Sequence, residues 1–182
     1  TQRLRVVPQA RGRVLEVGIG PGHNLELYDR DRVELVWGLE PSKGMRKRAE
    51  QRIAATDLDL RWIELPGEEI PLDDDSVDTV LLTFTLCSIA GWEAALAQMR
   101  RVLKPDGQLL FCEHGVAPDE SVRTWQRRID PVWTRLAGGC HLDRPIPEMI
   151  SGAGFQVDRL EADYISGPKF FAYEYVGAAS PS

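Results

Sequence analysis

No apolar run approaches the roughly 18 residues that a membrane-spanning helix needs, and no basic-then-apolar leader opens the chain. A spanning helix and a secretory signal are therefore not expected. Cysteine is scarce: Cys87, Cys112 and Cys140 stand far apart, with no CxxC pair. An odd, dispersed set gives no disulfide framework and no zinc signature, so a reducing, cytoplasmic setting is expected. Basic residues do not dominate either. Lys and Arg number 22 against 28 Asp and Glu, a net charge of −6, which argues against non-specific nucleic-acid binding. Internal repeats, low-complexity stretches and linkers are also missing. The first residue is Thr1 rather than Met, which raises the expectation of a native N-terminal piece beyond it.

What is present suits one domain over residues 1–182: 43% hydrophobic and 27% charged residues in a chain long enough for a proper core. Strand-like runs are expected at Arg13–Val17, Val33–Leu39, Leu60–Glu64, Val77–Thr83, Gln108–His114, Phe155–Tyr164 and Phe170–Val176. Helical patterns follow from about His23, and over Ser42–Ala55, Trp92–Val102, Ser121–Leu136 and Ile146–Ala153, with Ser42 suited to an N-cap. "KPDG" at 104–107 reads as a turn, Pro131 should kink or split its helix, and residues 177–182 are expected to fray. Alternation of the two element types predicts an α/β fold, a mostly parallel sheet with helices on both faces. The short "ISGPK" link cannot make a parallel crossover, so the last two strands should pair antiparallel.

The chemistry-bearing stretch is "RVLEVGIGPGHNLELY", residues 13–28. Gly18, Gly20 and Gly22 sit where a strand should become a helix, so the backbone can turn sharply and a ligand can approach it. Dinucleotide folds use GxGxxG to seat a pyrophosphate. Here the spacing is GxGxG, which disfavours a nicotinamide oxidoreductase. Glu40, in "VWGLEPS", lies where an acid meets ribose hydroxyls. A carboxylate there accepts two hydrogen bonds from a diol.

Together these pieces resemble a class I S-adenosylmethionine-dependent methyltransferase. "LEVGIGPG" is similar to that family's first motif and "GLEPSKGM" to its acidic second. "PGEEIPLDDDSVDTVLLTFTLCSI" resembles the third and fourth, and "MRRVLKPDGQLLFCEH" the signature that follows. The resemblance implies a Rossmann-like seven-stranded sheet of order 3-2-1-4-5-7-6 with strand 7 antiparallel, and S-adenosyl-L-methionine as cofactor. It places Glu16 and the backbone of Gly18, Ile19, Gly20 and Gly22 at the amino-acid end of the cofactor. Glu40 falls at the ribose, Pro41 and Ser42 beside the adenine, Gly67 and Glu68 at the adenine edge, and Thr83 and Leu86 near the methionine portion. One departure stands out: Pro66 occupies a position where many relatives carry an acid.

The C-terminal third resembles the thiol S-methyltransferase branch, in "LCS" at 86–88, "EH" at 113–114, "W…DPVW" from 125 to 133 and "GGCHL" at 138–142. Animal members of that branch carry a membrane-anchoring N-terminal helix, and a soluble relative is expected here. The resemblance implies a small, apolar acceptor. A thiol, a quinone, a phospholipid and an amine all stay open, as does a non-catalytic cofactor-binding module. His114, ending the fifth strand at the carboxyl edge of the sheet, is the candidate catalytic base; a strand-end histidine bonded to backbone is the alternative. Cys140 and His141 are expected in a packed loop roofing the pocket, and His23 at a helix start. Metal ligation is not expected, because these groups are distant in sequence and Asp73–Asp75 lacks a calcium-loop pattern. Trp125, Ile129, Trp133 and Leu136 share one helical face. The expected role of that face is to pack on the sheet as a lid; a basic surface in peripheral contact with a membrane is the other reading.

Overall fold

The computed structural model describes residues 2–182. Two short 3-10 segments (Gln2–Arg5 and Val7–Gln9) precede β1 (Gly12–Val17), β2 (Val33–Leu39), α1 (Lys43–Ala54), β3 (Leu60–Ile63) and β4 (Val77–Thr83). Then come α2 (Trp92–Val102), β5 (Leu103–His114), α3 (Glu120–Leu136), α4 (Ile146–Gly152), β6 (Phe155–Tyr164) and β7 (Tyr173–Pro181). The seven strands form one sheet of order β3-β2-β1-β4-β5-β7-β6. β1 through β5 pair in parallel, and β7 runs antiparallel between β5 and β6. Both the order and the antiparallel strand are those the sequence implied.

The central strands are apolar on both faces because both faces are covered. On one side Leu15, Val17, Val80 and Leu82 meet Ala95, Leu96 and Met99 of α2 and Ile146, Met149 and Ile150 of α4. On the other, Val14, Val36, Leu81 and Leu110 meet Val6, Val7, Leu25 and Tyr28. This second layer is not regular helix. Residues 20–28 form successive turns, closed by Gly22 N–H to Ile19 O at 3.0 Å, Leu25 N–H to Gly22 O at 3.3 Å and Leu27 N–H to Asn24 O at 2.9 Å. The helix expected from His23 is replaced by tightened turns because Asn24 points inward, its side chain bonded to Glu16 and Thr83.

Other expectations also need correction. The tail does not fray: β7 is paired with β5 through Ala179 and with β6 through Pro181. The expected strand at Phe170 begins instead at Tyr173, since Phe170 and Phe171 leave the sheet to pack on Trp133, with ring centroids 5.9 and 6.0 Å from it. "KPDG" bulges out of β5, as the register passes from Val77↔Leu103 to Thr79↔Gln108. α3 runs unsplit through Pro131, whose missing donor faces the carbonyl of exposed Arg127, within reach of water. α3 packs through only part of its apolar face, where Trp133 meets Phe170 and Phe171. Trp125 is 61% exposed and Leu136 81% exposed, and the helix's one fully buried residue is Gln126.

Candidate cofactor and acceptor site

The strand order reverses between β1 and β4, and a cavity of about 570 Å³ opens there at the carboxyl ends of the strands. Gly18, Ile19, Gly20, Glu40, Pro41, Ser42, Gly67, Glu68 and Thr83 line it, joined by Ser88 and Gly138 from the "LCS" and "GGCHL" stretches and by Arg3, Phe84 and Thr85, which had no predicted role. Glu16, Gly22, Leu86 and His114 do not line it. Gly18 has φ +70°, and a Cβ there would overlap the Thr85 side chain, so the turn after β1 stays flush with the cavity floor only as glycine.

Glu40 is 8% exposed and joins two loops. One oxygen accepts the Gly20 N–H at 3.1 Å, the other the Ser42 N–H at 2.8 Å. Ser42 in turn caps α1. Glu68 accepts the Gly91 N–H at 3.0 Å, tying the 66–68 wall to the start of α2. Glu16 lies beneath the floor, accepting from Asn24 Nδ2 at 2.8 Å and Tyr28 Oη at 2.6 Å. Burial, partly offset by those two bonds, pushes its carboxyl up to about 7. Leu86 is fully buried in the core, and its carbonyl accepts from the Arg144 guanidinium. Arg3 reaches into the cavity, donating to Asn24 Oδ1 at 2.9 Å and Thr83 Oγ1 at 2.6 Å, with its guanidinium 4.9 Å from the Phe84 ring centre.

The far wall is assembled by polar pins. The buried Glu113 carboxylate accepts the Thr85 and Leu86 N–H groups at 2.8 and 3.0 Å, setting the loop after β4. Gln126 accepts from Ala117 N–H at 3.0 Å and donates to the carbonyls of Gly115, Leu142 and Phe170 at 3.0, 3.0 and 3.1 Å. Asp130 holds His141 Nδ1 at 2.8 Å and accepts the Leu142 N–H at 2.7 Å. These bonds draw the 137–144 loop over Cys87, whose carbonyl accepts the His141 N–H at 2.9 Å.

His114 and Cys140, separated in sequence, meet here with Nε2 and Sγ 3.0 Å apart, and the Trp133 indole N–H lies 3.4 Å from the same sulfur. The neighbouring Cys87 thiol, the His114 ring and the indole hold Cys140 toward thiolate against the effect of burial, while Cys87 is kept protonated by Cys140 and by burial. Burial works against the His114 cation, but Cys140, Glu113 and Glu174 raise its affinity for a proton above the ordinary value. The two cysteines lie in "LCS" and "GGCHL", so the signal was in the sequence; their meeting was not.

The methyltransferase domain family matches residues 15–111, from β1 into β5. The chain belongs to this family. As a class I S-adenosylmethionine-dependent methyltransferase it shares its fold with the YcgJ protein of Bacillus subtilis, at a TM-score of 0.72 and 16% identity over 95% of this chain and 92% of that one. Thiol S-methyltransferase TMT1B of Rattus norvegicus is 35% identical over 156 residues, 81% of this chain and 62% of that protein. Demethylmenaquinone methyltransferase of Clavibacter sepedonicus is 30% identical over 118 residues, 65% of this chain and 47% of that protein. The methyltransferase thus spans under two thirds of the length of either relative. Its cavity fits S-adenosylmethionine: a bare glycine backbone, a buried carboxylate at Glu40, and apolar Ile19, Met45 and Ile89. Among the described residues, no helix is long and apolar enough to cross a membrane.

Proposed function

We propose that this methyltransferase acts on a small thiol, in a reducing, cytoplasmic setting that suits its free cysteines. The observation that carries the reading is where the likeness to TMT1B extends. It covers 81% of the chain against 65% for the quinone enzyme, so it draws on the far wall as well as the shared motifs. Bound cofactor supplies a methyl group already activated on a sulfonium. The protein's part is to position and to exclude water. The Gly18–Gly20 backbone takes the amino-acid end, Glu40 the ribose, Pro41, Ser42, Gly67 and Glu68 the adenine, and Thr83 the methionine portion. Glu16 and Gly22 support that floor from below, and Leu86 anchors the wall above it.

A thiol asks least of such a site, because its free pKa is about 8.5 and a useful thiolate fraction exists without a base. That agrees with the acceptor side, where Thr85, Ser88, Ile89 and Gly138 face the cavity and His114 does not. His114 is accordingly assigned to the thiol cluster rather than to proton removal from the acceptor. The exposed Trp125, Val132 and Leu136, beside Arg128 and Arg135, support peripheral contact with a membrane surface and delivery of an apolar acceptor. The test is formation of S-adenosylhomocysteine, followed by mass spectrometry, with an alkyl thiol, an amine and a hydroquinone offered in parallel. Product dependent on the thiol is expected. Product with the hydroquinone or amine and none with the thiol overturns the reading.

A further inference from the structure

The strand end of β5, the loop after β4 and the glycine loop after α3 converge on one cluster. Cys87 Sγ, His114 Nε2 and Cys140 Sγ all lie within 4.8 Å of one another. Cys87 is buried and the other two are half-buried. A tetrahedral zinc ion with bonds of about 2.0–2.3 Å to nitrogen and sulfur sets its donor atoms roughly 3.5–3.8 Å apart. His114 Nε2 and Cys140 Sγ stand at 3.0 Å, slightly inside that spacing, and Cys87 Sγ lies within 4.8 Å of both, so adjustments on the order of 1 Å bring the three donors to it.

We propose that Cys87, His114 and Cys140 bind a thiophilic divalent cation of the zinc class beside the methyl-transfer cavity.

The donor chemistry favours this occupant. Two sulfurs and an imidazole are soft-to-borderline ligands, which select zinc over magnesium or calcium. Two thiolates and a neutral imidazole cancel the charge of a divalent ion, so the filled cluster is neutral in a half-buried place where net charge is costly. The Arg144 guanidinium is nearby but is committed to the carbonyls of Leu86 and Ile89, and two carboxylates flank the cluster. Glu113 precedes His114, and Glu174 pairs with it across β5 and β7. Each keeps one buried carboxylate oxygen without a hydrogen-bond partner among the described residues. Buried acceptors left in this way stabilise a nearby cation. Three protein ligands leave one coordination position, the arrangement of zinc sites that take up an exchangeable ligand. Ser88, next to Cys87, and Gly138, two residues before Cys140, line the cavity, so exchange toward the cavity is short. The site stands whatever the acceptor proves to be.

Cobalt(II) reports such a site by its colour. The metal-free protein, kept reduced with a phosphine rather than a thiol, would be titrated with Co²⁺. Sulfur-to-cobalt charge-transfer absorption should grow to a plateau at one equivalent and vanish when Zn²⁺ is added. Cys140→Ser, in the half-buried loop, should abolish it with the far-ultraviolet circular dichroism unchanged, and His114→Gln should weaken it. Cys112→Ala should leave it intact, since that third thiol lies in the core apart from the cluster. Absence of the absorption from the unmodified protein overturns the proposal. So does its persistence in Cys140→Ser, or its loss in a folded Cys112→Ala.

Discussion

The two walls of the cavity are made by different physics. The wall from β1 to β3 is backbone: a glycine turn at positive φ, a strand end, and a carboxylate that bonds the amides of Gly20 and Ser42. The wall contributed after β4 is held by side chains: Glu113, Gln126, Asp130 and Arg144 pin the loops through their backbone groups, around single apolar anchors at Leu86 and Leu142. A backbone wall needs a few glycines at fixed places, which suits one invariant ligand. A wall hung from polar pins can be reshaped by changing what lies between them, which suits a variable acceptor.

The strongest way to break this contrast is at Gln126. Gln126→Ala leaves the backbone groups of Gly115, Ala117, Leu142 and Phe170 without their partner, at about 3–4 kcal/mol of stability. The melting midpoint should fall and hydrogen exchange across residues 137–144 should quicken, while calorimetric affinity for S-adenosylmethionine stays nearly unchanged. An equal loss of cofactor affinity would show that the walls are not separable.

The next test belongs to the floor. Glu16 titrates near 7 when folded, against 4.5 for the ordinary carboxyl, so the folded state holds its proton more tightly than the unfolded chain. Its contribution is present in full below about pH 4.5 and is lost as pH rises through about 7, on the order of 3 kcal/mol. Urea unfolding between pH 5 and pH 7, as an approximate range, should therefore show stability declining with pH. Glu16→Gln should flatten that slope; an unaltered slope would assign the decline to another group.

Glu40→Ala comes third. Loss of a charge-assisted acceptor for the ribose should weaken cofactor binding by more than about 1 kcal/mol, or roughly fivefold. Unchanged affinity in calorimetry would remove Glu40 from that role. The smallest effect sharpens the contrast from the outside. Leu136→Ser, at a residue 81% exposed, should change stability by less than about 0.5 kcal/mol, yet lower co-sedimentation with anionic vesicles. Unchanged co-sedimentation would take α3 out of any membrane contact.

The same contrast explains what could be read from the sequence. Strand runs such as "VLLT" are continuous and apolar, so the alternating α/β pattern and the antiparallel final pair were legible from the residues, while the strand order followed from the family resemblance. The helix expected at His23 was lost to a long-range competitor, since Asn24 bonds Glu16 and Thr83 across the sheet. The face of α3 had the period of a packed helix, but its buried anchor is a glutamine with backbone partners up to 44 residues away, helped by Asp130 and Trp133. No periodicity encodes such a bond. The meeting of His114 with Cys140 has the same origin, because it depends on a loop drawn in by Gln126 and Asp130 of α3.

The place of β7 carries a consequence for how the protein is made. β6 joins the sheet only through β7, and β7 is also the sole partner of the outer edge of β5. During synthesis β5 therefore emerges with an apolar edge unpaired, and β6 follows with nothing to pair against. Neither edge is satisfied until residues 173–181 leave the ribosome. The nascent chain thus carries an open, aggregation-prone edge through the synthesis of about a third of its length. Insertion of β7 between β5 and β6 is the single pairing event that closes that edge.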